Sequence, residues 1–139
     1  MAVTFFNNAK EAILNGDIDL TNDTIKVMLT SGYTMDADND NYYSDVSASE
    51  VSGTGYTAGG QALSNKSVTQ DNTNDLAKFD ADDVTWSNST ITADGAIIYK
   101  DTGTGSTSPV IAYYPFTSAS SSNSDFTLQW NSNGIFTLS

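Results

Sequence analysis

The chain has no cysteine, no histidine and no arginine among its 139 residues. Without cysteine there is no disulfide framework, no thiolate nucleophile and no zinc–cysteine site. Without histidine it lacks the commonest general base and the commonest metal ligand. Without arginine no bidentate clamp can close on a phosphate or carboxylate. Cations of any kind are scarce, five lysines against 17 acidic residues, for a formal charge of −12. Nucleic-acid binding works by neutralising phosphates with lysine and arginine, so DNA and RNA should repel this chain. Anionic membrane surfaces are disfavoured on the same ground. No window approaches the eighteen or so apolar residues of a membrane helix. The opening Met1-Ala2-Val3-Thr4-Phe5 has neither the basic nor the apolar run of a secretory signal.

What remains is a chain in which serine, threonine and asparagine make up about a third of the residues. Threonine suits the outward face of a pleated sheet, while serine and asparagine bond the local backbone in turns. At 14.8 kDa the chain fits one domain, with a folded surface expected near roughly 7,000 Å². The expected division is an N-terminal helical segment, 1–16, and a β-rich body, 17–139.

The helix is expected over residues 3–15. Phe5, Phe6, Ala9, Ala12 and Ile13 recur at the spacing that lines one face, with Thr4 as cap and Gly16 as terminator. From Thr24 the period changes to two: Ile25, Val27 and Leu29 alternate with Lys26, Met28 and Thr30, as in a strand with one buried face. Similar runs occur at 63–69, 76–80, 84–86, 91–100, 109–116, 126–130 and 135–138, separated by polar breaks. Many short strands joined by polar turns predict a mainly β fold, an antiparallel sandwich or barrel with one short N-terminal helix. Ile97–Lys100 and Val110–Tyr114 should pair as its central hairpin. Ser118–Ser124 is expected to be a hairpin loop.

The segment Glu50–Leu63 places four glycines within eight residues, at 53, 55, 59 and 60, with no strand-to-helix phosphate signature around it. It reads as linked tight turns that use glycine at positive φ.

Candidate sites are few. Asp36, Asp38 and Asp40 alternate as in the first half of a calcium loop, and Asp45 could complete an irregular site. The sixth and twelfth positions hold Asn41 and Ser47 where the calcium loop needs glycine and glutamate, so a solvated acidic loop is the expectation. Asp80, Asp82 and Asp83 suggest a carboxylate pair, but Asp82 and Asp83 are adjacent and would face opposite sides of a strand. Trp86 and Trp130 lie in strand-like runs, where core packing is expected ahead of carbohydrate stacking. No lysine sits in a serine-nucleophile motif, and the three Asn-x-Ser/Thr matches are those expected by chance in such a composition. Tyr33, Tyr42, Tyr43, Tyr56, Tyr113 and Tyr114, with Phe5 and Phe6, are the interface candidates, because outward tyrosines give large rigid contact area with a polar tip. No catalytic residue, cofactor or metal is expected.

Phe5-Phe6-Asn7-Asn8-Ala9-Lys10, Ile25–Thr30, Glu50–Leu63, Val84-Thr85-Trp86 and Ala96–Thr102 together resemble small structural proteins of tailed-bacteriophage virions. The resemblance implies a capsid decoration (cement) protein on the outer surface of the head. Its alternative is a tail, neck or fibre component that contacts host glycan. It further implies the major capsid protein as partner, synthesis in the host cytoplasm and no catalytic residues. A homo-oligomer, a trimer first, would hide strand edges. The helix or the Tyr33–Tyr56 region is the expected docking surface.

Overall fold

The computed structural model describes residues 3–139; Met1 and Ala2, which the sequence reading places at the head of the helical segment, lie outside them. The fold is mainly β, with antiparallel pairing throughout and one short N-terminal helix. The described residues expose 7112 Å², close to the value expected from mass alone.

The chain opens with a two-residue strand, β1 (Thr4–Phe5), not with helix. Thr4 and Phe5 pair with Tyr113 and Ala112. Helix α1 therefore spans only Asn7–Asn15, and Phe6 rather than Thr4 takes the N-cap position, extended at φ −72° and ψ 146° with no side-chain cap. The backbone prefers a sheet partner to one more turn of marginal helix. Gly16 ends the helix as expected, in the left-handed conformation at φ 78°. Phe6 and Ala9 are fully buried, so the apolar stripe does face the core.

Strands β2 (Ile25–Thr30), β3 (Gln61–Ala62), β7 (Thr92–Lys100) and β8 (Val110–Ser120) join β1 in one sheet of order β1-β8-β7-β2-β3, with β4 (Ser67–Asp71), β5 (Leu76–Asp80) and β10 (Phe136–Leu138) forming a second, β10-β5-β4. The third sheet pairs β6 (Val84–Ser89) with β9 (Ser124–Leu128). Strand β2 departs from the one-faced expectation: Met28 and Thr30 are as buried as Val27 and Leu29. It lies beside β7 in the middle of the sheet, where both faces are covered. The expected 63–69 strand is broken, because Leu63 to Lys66 separate β3 from β4.

The central hairpin forms as read, Ile97 opposite Tyr113 and Ile98 opposite Ala112. The segment 118–124 is not a hairpin loop. Strand β8 passes through Ser121 into β9, while β6 passes through Thr90 and Ile91 into β7. Pairing runs from Val84↔Leu128 through Ser89↔Ser124 and Thr92↔Ser120 to Tyr99↔Val110. The two segments, β6–β7 and β8–β9, thus make one long bent ribbon that serves two sheets. The Ser121 N–H donates to the Ile91 carbonyl at 2.9 Å, and the Ser89 and Ser121 hydroxyls bond at 2.7 Å in the bend. In the β6–β9 arm the faces alternate: Val84, Trp86, Phe126 and Leu128 point inward, and Thr85 and Thr127 bond across the outer face at 2.9 Å. A single apolar cluster, Phe6 to Ile135, fills the space between the sheets and helix α1.

Candidate functional site

The glycine string is a set of tight turns. Gly53, Gly55, Gly59 and Gly60 all have positive φ. Three of them also have no room for a side chain: a Cβ on Gly60 would lie 1.9 Å from the Val27 carbonyl oxygen, one on Gly53 2.3 Å from that of Thr90, and one on Gly55 2.9 Å from the Ser89 Cα. The close approaches let Gln61 pair with Val27 and Thr54 bridge to Thr90.

The turns also bend the chain around Glu50. One carboxylate oxygen accepts from the Tyr56 hydroxyl at 2.7 Å and from the Gly59 N–H at 2.7 Å. The other accepts from the Tyr43 hydroxyl at 2.5 Å. Tyr56 in turn accepts from the Leu29 N–H at 3.0 Å, and the Tyr99 hydroxyl donates to the Gly59 carbonyl at 2.6 Å. The Tyr43 and Tyr99 rings sit 5.1 Å apart, and Tyr56 stacks on Trp86 at 5.8 Å. Burial, reinforced by the Glu50 hydrogen bond and charge, pushes the Tyr43 hydroxyl up to about 12. Burial, with the Glu50 charge, raises Tyr56 further, and burial followed by the Asp101 charge raises Tyr99. This hub pins the glycine turns to β2 and β7. All its hydroxyls are in their donating, neutral form at neutral pH, so it has the chemistry of a clamp.

The acidic loop serves its own backbone. Asp36 accepts from the N–H groups of Asp38 and Asn39 and from the Asn39 amide, and that amide is the main reason its carboxyl lies below the usual range. Asp38 accepts from Asn7 at 2.6 Å, tying the loop to α1, and Asp40 accepts from the Tyr33 hydroxyl at 2.5 Å. Asp45 accepts from the N–H groups of Asn41 and Tyr42, closing the N-terminus of a four-residue helix, α2 (Tyr43–Val46). The four carboxylates have four separate sets of donors, and among the described residues no three acidic side chains are grouped to hold a metal ion. Asp82 and Asp83 are structural too. Asp83 accepts from the Trp130 N–H, and the Asp82 backbone carbonyl accepts from the Trp130 indole at 3.0 Å.

The interface candidates mostly face inward. Phe6 and Tyr114 are buried, the latter with its ring edge-on to Trp130 at 5.6 Å. Tyr33 and Tyr113 are half-buried against each other at 5.0 Å, and Tyr43 and Tyr56 belong to the hub. Tyr42 and Tyr43 do not alternate across a strand, since Tyr42 caps α2 and Tyr43 begins it. Tyr42 alone is exposed. Both tryptophans are core residues, Trp86 at 1% and Trp130 at 6% exposure.

An apolar surface feature lies elsewhere. Helix α1 and the β10-β5-β4 sheet leave a groove of about 310 Å³ between them. Phe5, packed edge-on to Phe136 at 4.8 Å, forms part of its floor with Phe79. Leu14, Val68 and Leu138 stand on its walls at 87%, 49% and 66% exposure, and Lys10 and Lys78 border it. Sequence reading named Phe5 and the N-terminal helix as candidate docking elements and missed Leu14, Val68, Leu138 and the sheet side of the groove. The available signal was the Ile13-Leu14 doublet, which carries apolar surface off the stripe of α1.

No protein-family model, curated protein or solved structure matches the chain.

Proposed function

We propose that the chain is a non-enzymatic structural protein of a tailed-bacteriophage virion, an outer-capsid decoration protein that bridges and stabilises capsomers of the major capsid protein. The observation that carries this reading is the groove. A strongly acidic, densely hydrogen-bonded β body leaves its exposed large aliphatic side chains together on one face, the mark of a surface that another protein covers.

The rest of the molecule agrees with a load-carrying role. Glu50 and the loop aspartates are engaged in clamping turns, and the chain has no histidine, cysteine or arginine to build a reacting centre. A charge of −12 suits the outside of a shell whose interior holds a dense polyanion. A cement subunit acts through many weak copies on one particle, where effective concentration multiplies modest contacts. Clustering, as a trimer first, would cover the outer edges of β3 and β4. The fibre-tip reading requires an exposed aromatic platform for a sugar, and the burial of Trp86 and Trp130 leaves Tyr42 without company.

Heads assembled without this chain should release their DNA at a lower temperature than complete heads, and added purified protein should restore the difference. Dye accessibility of packaged DNA during a temperature ramp measures it. Identical release curves would remove the cement role.

A further inference from the structure

We propose that the groove between α1 and the β10-β5-β4 sheet is the capsid-docking surface, and that its occupant is an apolar segment of the capsid subunit that carries carboxylates. The proposal rests on the decoration reading above and names the contact within it.

Two independent observations converge. Among the described residues four large hydrophobic side chains are exposed, and three of them, Leu14, Val68 and Leu138, line this one groove. They come from three separate elements, so no single element's amphipathicity explains the grouping. The distribution of lysine is the second observation. Lys26 pairs with Asp101 at 2.7 Å and Lys100 with Asp23 at 3.0 Å, while Lys66 donates to the Asp23 carbonyl. Lys10 and Lys78 make no ion pair among the described residues. Lys10 reaches only the Asn7 amide oxygen, at 3.1 Å. Carboxylates outnumber lysines by 17 to five, yet among the described residues three lysines have no carboxylate partner; Lys66 is held by a backbone carbonyl, and the other two, Lys10 and Lys78, both border the apolar groove.

Charge complementarity therefore selects the occupant. An apolar segment would bury the leucine and valine walls, and its carboxylates would meet Lys10 and Lys78 at the rim, where such contacts set partner choice and encounter rate. A second copy docked groove to groove would bring four lysines together and is disfavoured by the same charges.

The test uses the full chain and heads stripped of it, with bound protein measured by co-sedimentation across protein and salt concentrations. Leu14→Asp should weaken binding at least tenfold while leaving the unfolding temperature unchanged, since Leu14 is 87% exposed. Lys10→Glu with Lys78→Glu should weaken binding in dilute buffer, and the deficit should shrink near 1 M salt, where the Debye length falls to about 3 Å. Wild-type binding by either variant overturns the groove assignment and leaves the decoration reading standing. Failure of the wild-type chain to bind any head overturns both. If Leu14→Asp changes the oligomeric state and not head binding, the occupant is another copy of this chain, and the proposal is equally overturned.

Discussion

Gly60→Ala should cost about 4 kcal/mol or more, in the range reserved for backbone strain and core disruption. The added methyl would sit 1.9 Å from the Val27 carbonyl oxygen, a backbone atom in a strand paired on both sides. No rotamer change relieves that overlap. The left-handed φ of 75° adds about another 1 kcal/mol for any residue with a Cβ. Gly16→Ala separates the two effects. Gly16 has nearly the same φ, 78°, but nothing within 4 Å of its missing Cβ, so it should lose only about 1 kcal/mol. Urea unfolding of both variants decides the matter. Equal losses would mean that the dihedral alone requires glycine at position 60 and that the close approach to β2 carries no weight.

Glu50→Ala should cost about 3 kcal/mol, because two tyrosine hydroxyls and one N–H lose a charged acceptor in half-buried surroundings. For a domain of this size that is a fall of roughly 10 °C in unfolding temperature. Tyr43→Phe, which removes one donor and leaves the carboxylate with two, should cost about 1 kcal/mol. The hub also sets an alkaline limit. Tyr43 is raised in the folded chain from 10 to about 12, so its contribution is complete below pH 10 and is lost as pH rises through 12. In Glu50→Ala, burial still raises the hydroxyl, but the hydrogen bond and charge of Glu50 are gone, so Tyr43 should ionise at lower pH. Ultraviolet absorbance of tyrosinate against pH follows this directly. An unchanged titration, or a loss below 1 kcal/mol, would show that the glycine turns hold themselves without the clamp.

The glycine string was legible in the sequence as turns because positive φ is a local property of the backbone. Its clamp was not. Glu50, Tyr43 and Tyr99 are separated along the chain and carry no spacing that links them, so only the fold reveals that one carboxylate holds them. Several strand positions followed from period-two patterning and apolar runs, and the expected pairing of Ile97–Lys100 with Val110–Tyr114 is present in the β7–β8 hairpin. The run 118–124 misled because a serine-rich stretch reads as a loop. Here those serines supply hydroxyls to a bend in a paired ribbon. The start of α1 misled because Thr4 is a good cap, yet two residues of sheet pairing with β8 outcompete it. The tyrosines were chosen as surface anchors for their chemistry, and burial in their own domain absorbed most of them. Leu14, Val68 and Leu138 are unremarked as single apolar residues in polar surroundings. Their meaning is in their convergence, which is a property of topology.

Electron microscopy of intact virions labelled with an antibody against this chain tests the decoration role most directly. Many copies of signal spread over the head are predicted. Signal confined to the tail or neck, or no signal on the particle, would contradict the account.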